Sequence, residues 1–172
     1  MDDTIIAIIG IFVAIILMFV FPIMEMASKN DELSQTIVQV VTSDFANNAA
    51  RQGKITKFDY DDLVQKLNAT GNIYDIQIEV QILDDNPTRT STGSTSDLKD
   101  GKYYSVFTSS IMEKLNGSEG EYILKKDDYI IVTVKNTNVT MATELKNMFY
   151  NLIGKETYTI GASIATQVLN GG

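Results

Sequence analysis

Residues 5–24, IIAIIGIFVAIILMFVFPIM, are twenty consecutive positions without a charge. At about 1.5 Å of rise per residue such a helix is roughly 30 Å long, the thickness of the hydrocarbon layer of a bilayer. Large apolar side chains, among them Ile5, Ile6, Ile8, Ile9 and Ile11, point in every direction around it, leaving no polar stripe. A helix of this kind belongs in lipid or among similar helices, because holding so much apolar area in water is too costly. The rest of the chain is polar and mixed in charge. It therefore divides into a transmembrane anchor, residues 1–25, and one soluble domain, residues 26–172.

A cleaved signal peptide would carry a basic start and an apolar core of about 7–15 residues. Here Met1, Asp2 and Asp3 lead into a longer run, so the helix is expected to be retained. The first basic residue, Lys29, lies beyond the span, and the positive-inside rule taken literally puts the domain in the cytoplasm. Asp31 and Glu32 offset Lys29, and long domains translocate largely regardless of charge. The sequons at Asn68, Asn116 and Asn138 favour a domain outside the cytoplasmic membrane and mark possible glycosylation sites.

Composition narrows the chemistry. The chain has no cysteine and no histidine, which removes thiolate chemistry, the commonest general base and the commonest metal ligand. A net charge of −8 is the wrong sign for nucleic acid. No phosphate-loop or nucleophile pattern occurs, so neither an enzyme activity, a cofactor nor a small-molecule substrate is expected. Asp84, Asp85, Asp97 and Asp100 crowd the polar loop 84–101 and are weak candidates for a hard cation, but they lack the calcium-loop spacing and read as a solvated acidic loop.

Beyond Met24 the helical period continues. Leu33, Ile37, Val40, Val41 and Phe45 fall on one face, with Asp31, Gln35, Gln39, Ser43 and Asn47 on the other. One helix is expected from about Thr4 to Gln52, kinked at Pro22 and ended by Gly53, with Leu33, Ile37, Val41 and Phe45 packing on a sheet. A second helix, capped by Thr56 or Asp59, precedes a strand in which Ile76, Ile78, Val80 and Ile82 alternate with polar residues. Residues 103–115 suit a strand at YYSVF or a helix through Phe107, Ile111 and Leu115. A hairpin of 121–125 with 129–135, a helix from Thr140 to Ile153 with Met141, Leu145, Met148, Phe149 and Leu152 on one face, and a closing strand through Ile160 and Ile164 complete the pattern. The fold class is α+β: a long transmembrane-plus-amphipathic helix on an antiparallel sheet of three or four strands.

This layout resembles that of type IV pilin-like proteins, and within them the TadE-like pseudopilins of Tad (Flp-type) systems. The likeness is carried by FVFPIMEM after the span, by residues 44–81, by DDYIIVTVKN at 127–136 and by the closing TYTIGASIATQVLNG. It implies a structural subunit of a pilus-like filament or a secretion machine, with membrane lipid and other pilin-like subunits as partners. The core of such a filament would be formed by Ile5, Ile9, Phe12, Ile16, Phe19 and Pro22. Pilins of this kind are usually cut after a small residue to leave a Glu at the fifth position of the helix. No acid occurs between residues 4 and 24 here, so the expectation is an unprocessed N-terminus and a minor subunit. A monomeric membrane-tethered module, binding an extracellular partner through loop 84–101, is the alternative.

Overall fold

The computed structural model describes residues 2–83, 103–150 and 159–171. Helix α1 runs unbroken from Asp2 to Gln52, through Pro22. Gly53 ends it: its φ of 68° is a conformation that side chains disfavour, and its N–H closes on the Ala49 carbonyl at 2.9 Å. Strand β1 (Lys54–Thr56) leads into helix α2 (Lys57–Asn68). Thr56 caps α2, its hydroxyl accepting from the Asp59 N–H at 3.1 Å and donating to the Asp59 carboxylate at 2.6 Å.

Among the described residues, four antiparallel strands make the main sheet, in the order β3-β2-β5-β6, with β2 at Tyr74–Leu83, β3 at Tyr103–Phe107, β5 at Tyr129–Asn136 and β6 at Gly161–Gln167. Central β5 shows the period-2 logic most clearly. Ile130, Val132 and Val134 are buried under α1, while Ile131, Thr133 and Lys135 face the other way. Helix α1 lies mainly over β6 and β5, as an α+β layer. The core gathers Val38 and Phe45 of α1, Leu63 and Leu67 of α2, Ile78 and Val80 of β2, and the inward row of β5.

Residues 103–115 satisfy both expectations in turn, as strand β3 and then helix α3 (Thr108–Leu115), with Ile111 and Leu115 buried. The expected hairpin does not form. Strand β4 (Glu121–Ile123) pairs with β1, matching Ile55 to Tyr122, because both edges of β5 are already occupied by β2 and β6. The turn between them exists, with Asp127 at φ 72° and the Asp128 carboxylate accepting from the Lys125 N–H at 2.9 Å, but it carries the chain from one sheet to the other. Helix α4 (Met141–Tyr150) also departs from its expected face. It buries Ala142 and Thr143, half-buries Leu145, and leaves Met141 and Met148 exposed. The Phe149 side chain, Leu152 and Ile153 lie outside the described residues.

Candidate functional site

Helix α1 is long and apolar enough to cross a membrane. Its lower part, including Ile5, Ile9, Phe12, Ile16, Phe19 and Pro22, is exposed, and the first buried residue is Ala27. From there the helix meets its domain through a face that the apolar pattern does not mark. Ala27, Asp31, Ser34, Val38, Thr42, Phe45, Ala46, Ala49 and Ala50 are buried. Their spacing of three and four puts them on one side, and most are Ala, Ser or Thr, small residues that let packed elements approach the helix closely.

The stripe expected to pack on the sheet is turned away from this face by about a third of a turn, at 100° per residue. Leu33 is 58% exposed and Val40 54%, Ile37 and Val41 are half-buried at the edge, and only Phe45 is fully inside. Asp31 and Gln35, expected in water, lie instead against the domain. The physical reason is polar. Buried Asp31 accepts from the Thr140 hydroxyl at 2.6 Å, and Thr140 in turn caps α4, accepting from the Thr143 N–H at 3.2 Å. Gln35 makes a two-way bond with the edge of the sheet: its Nε2 donates to the Gly161 carbonyl at 2.7 Å and its Oε1 accepts from the Gly161 N–H at 2.9 Å. A Cβ at Gly161 would stand 2.6 Å from the Val134 carbonyl oxygen, so only glycine lets β6 lie this close to β5. The sequence signal for this face was the run of small residues at Ala27, Ser34, Ala46, Ala49 and Ala50, which a search for large apolar side chains passes over.

The outward side of α1 is ordered too. Ile5, Phe12, Phe19, Met26, Leu33 and Val40 succeed one another at intervals of seven, and all six are exposed. A second row begins four residues on, with Ile9, Ile16, Ile23 and Ile37 interrupted by Asn30. A seven-residue apolar period drifts by about 20° per repeat on a straight helix, and two such helices compensate by coiling around each other with left-handed twist. The first row passes without a break from the uncharged run into the part of α1 that carries the domain.

Where α1 leaves the apolar run, a groove of ≈ 730 Å³ opens between Ile23–Leu33 and the loops at Thr70–Asn72 and Asn138–Met141. Its polar lining is organised by the Asn138 side chain, which accepts from the Ile73 N–H at 2.9 Å and donates to Asn72 Oδ1 at 3.0 Å. The sequon nitrogen of Asn138 is thus committed to the fold, whereas Asn68 and Asn116 are exposed at the ends of α2 and α3. Asp84, Asp85, Asp97 and Asp100 lie outside the described residues; among those described, no three acidic side chains gather as a metal site. Comparison with protein-family models, with curated proteins and with solved structures finds no match for this chain.

Proposed function

We propose that this chain is a pilin-like structural subunit, anchored by α1 with its domain outside the cytoplasmic membrane, in a type IV pilus-like filament or a related secretion or assembly machine. The observation that supports this reading is the seven-spaced row from Ile5 to Val40, which the domain leaves uncovered. Lipid can cover Ile5, Phe12 and Phe19, but Leu33 and Val40 stand about 13 and 24 Å beyond the end of the apolar run, above the hydrocarbon. A neighbouring α1 covers the whole row at once, replacing lipid contacts below and water contacts above.

The chain has no cysteine, so single cysteines report proximity cleanly. In native membranes Leu33→Cys and Val40→Cys are expected to cross-link between subunits, and Ile123→Cys, on the far end of the domain, is not. Leu33→Glu with Val40→Glu is expected to keep the domain folded and to abolish assembly. A protein that stays uncross-linked and monomeric at every position of the row refutes the assembly reading and leaves the tethered module. Protease added to intact protoplasts should remove the domain and spare α1; full protection would reverse the topology.

A further inference from the structure

The groove at the foot of the domain has an apolar rim and a polar floor. Ile23, Met26, Leu33 and Met141 on the rim are all exposed, Met26 and Met141 to about 70%. Asp31, Asn72 and Thr140 at the floor are buried. Neither the core nor the sheet uses this surface, and its level on α1 says what surrounds it. Ile23 lies within the uncharged run, and Met26 stands about 3 Å past its end. The headgroup layer extends roughly 5–8 Å beyond the hydrocarbon on each side. Met141, which lines the same groove from the domain side, is held there by the Asp31–Thr140 bond one residue before it.

We infer that the foot of the domain sits in the headgroup layer of the bilayer and that this groove takes a phospholipid. The inference rests on reading α1 as a membrane span. Ile23 and Met141, which lie outside the Ile5–Val40 row, gain by leaving water for this interfacial layer. Two side-chain amides line the groove and can donate to phosphate and ester oxygens, Asn72 on the floor and exposed Asn30 at its edge. Lys29, also on the rim, adds a cation whose 3.5 Å pairing with Glu25 is solvent-exposed and readily exchanged. Continuity with the span is the argument for lipid over any other occupant, since the groove opens from the same helix surface that lipid covers one turn below.

The test uses the full chain in vesicles of phosphatidylethanolamine and phosphatidylglycerol, at low protein density, with an environment-sensitive fluorophore on single cysteines. Lipids carrying a nitroxide at the headgroup or high on the acyl chain serve as quenchers. Met141→Cys is expected to lose most of its emission to either quencher, while Ile123→Cys, roughly 40 Å farther along α1, keeps its emission. Ile16→Cys should be quenched by acyl nitroxides whatever the domain does. Unquenched Met141→Cys beside quenched Ile16→Cys overturns the inference and leaves the membrane span intact. Unquenched Ile16→Cys removes the span itself. Protection of Met141→Cys that grows with protein density, together with cross-linking of Met26→Cys to Met141→Cys between copies, shows a second copy in the groove and also overturns it.

Discussion

Replacing Gln35 tests whether the helix is tied to the sheet by polar bonds or only by packing. Its amide satisfies both the N–H and the carbonyl of Gly161, the first residue of edge strand β6, at 2.9 and 2.7 Å. Leucine has nearly the same volume and helix propensity, so Gln35→Leu removes the two bonds with little else. Each is worth about 0.5–1.5 kcal/mol net, and part-buried backbone groups lose some solvation in addition, giving a cost of about 2 kcal/mol. For a domain of roughly 150 residues this lowers the midpoint of thermal unfolding by about 4–8 °C. The full chain in detergent micelles, with its eight tyrosines and no tryptophan, can be followed by tyrosine fluorescence. Gln35→Glu gives a sharper signature. At neutral pH the new carboxylate accepts from Gly161 N–H but sets a negative oxygen against the Gly161 carbonyl; protonated, it donates as the amide does. Its pKa is therefore raised in the folded state, and its destabilisation, complete above the folded pKa, is relieved as pH falls through that value. A Gln35→Leu protein within about 0.5 kcal/mol of the parent, or a Gln35→Glu protein with no pH-dependent recovery, would refute the reasoning.

Gly161→Ala forces a Cβ to 2.6 Å from the Val134 carbonyl oxygen and should cost about 1–3 kcal/mol by separating β6 from β5, read as a lower urea midpoint. Thr140→Val strips a cap and leaves the Asp31 carboxylate buried without its bond, a loss of about 2–4 kcal/mol that Thr140→Ser should largely restore. Thr42 is fully buried and its hydroxyl has no partner among the described residues, so Thr42→Val is expected to stabilise by about 1 kcal/mol; destabilisation would show an unrecognised bond. The Ser105 hydroxyl and the Gln81 amide hold the Glu79 carboxyl below its ordinary value of 4.5. The stability it adds is present above that value and lost as pH falls through the depressed one, and Glu79→Gln should abolish this part of the acid transition.

Elements with a strong period and unambiguous ends were readable from the residues. The limits of α1, the Gly53 stop and the alternation in β2, β5 and β6 all derive from side-chain spacing, and the α+β layering derives from them. The orientation of α1 did not. A rule that buries the largest apolar residues selects Leu33 and Val40, but the core takes the small Ala46, Ala49 and Ala50, and the polar bonds of Asp31 and Gln35 fix the rotation. The partner of β4 was equally hidden. A turn at Lys126–Asp128 suggests local pairing, yet strand choice depends on which edges are free once β2 and β6 have taken β5, a question of long-range competition. The long apolar helix was visible from composition; the uncovered row became visible only when the domain was seen to leave it alone.

The course of β6 beside α1 gives the molecule a mechanical character. Gln35 stands opposite Gly161, and Asp44, Asn47 and Arg51 line a common groove with Thr166 and Gln167, so the strand climbs alongside the helix in the same direction. A pull on the N-terminal end of α1 along its axis therefore slides α1 past β6, loading their contacts together in shear and not peeling them one at a time. No hinge or linker intervenes between the apolar part of α1 and the domain, because the same 51-residue helix serves both. Tension applied at the apolar end of α1 reaches the core undamped, and the domain yields only when that whole seam slips at once.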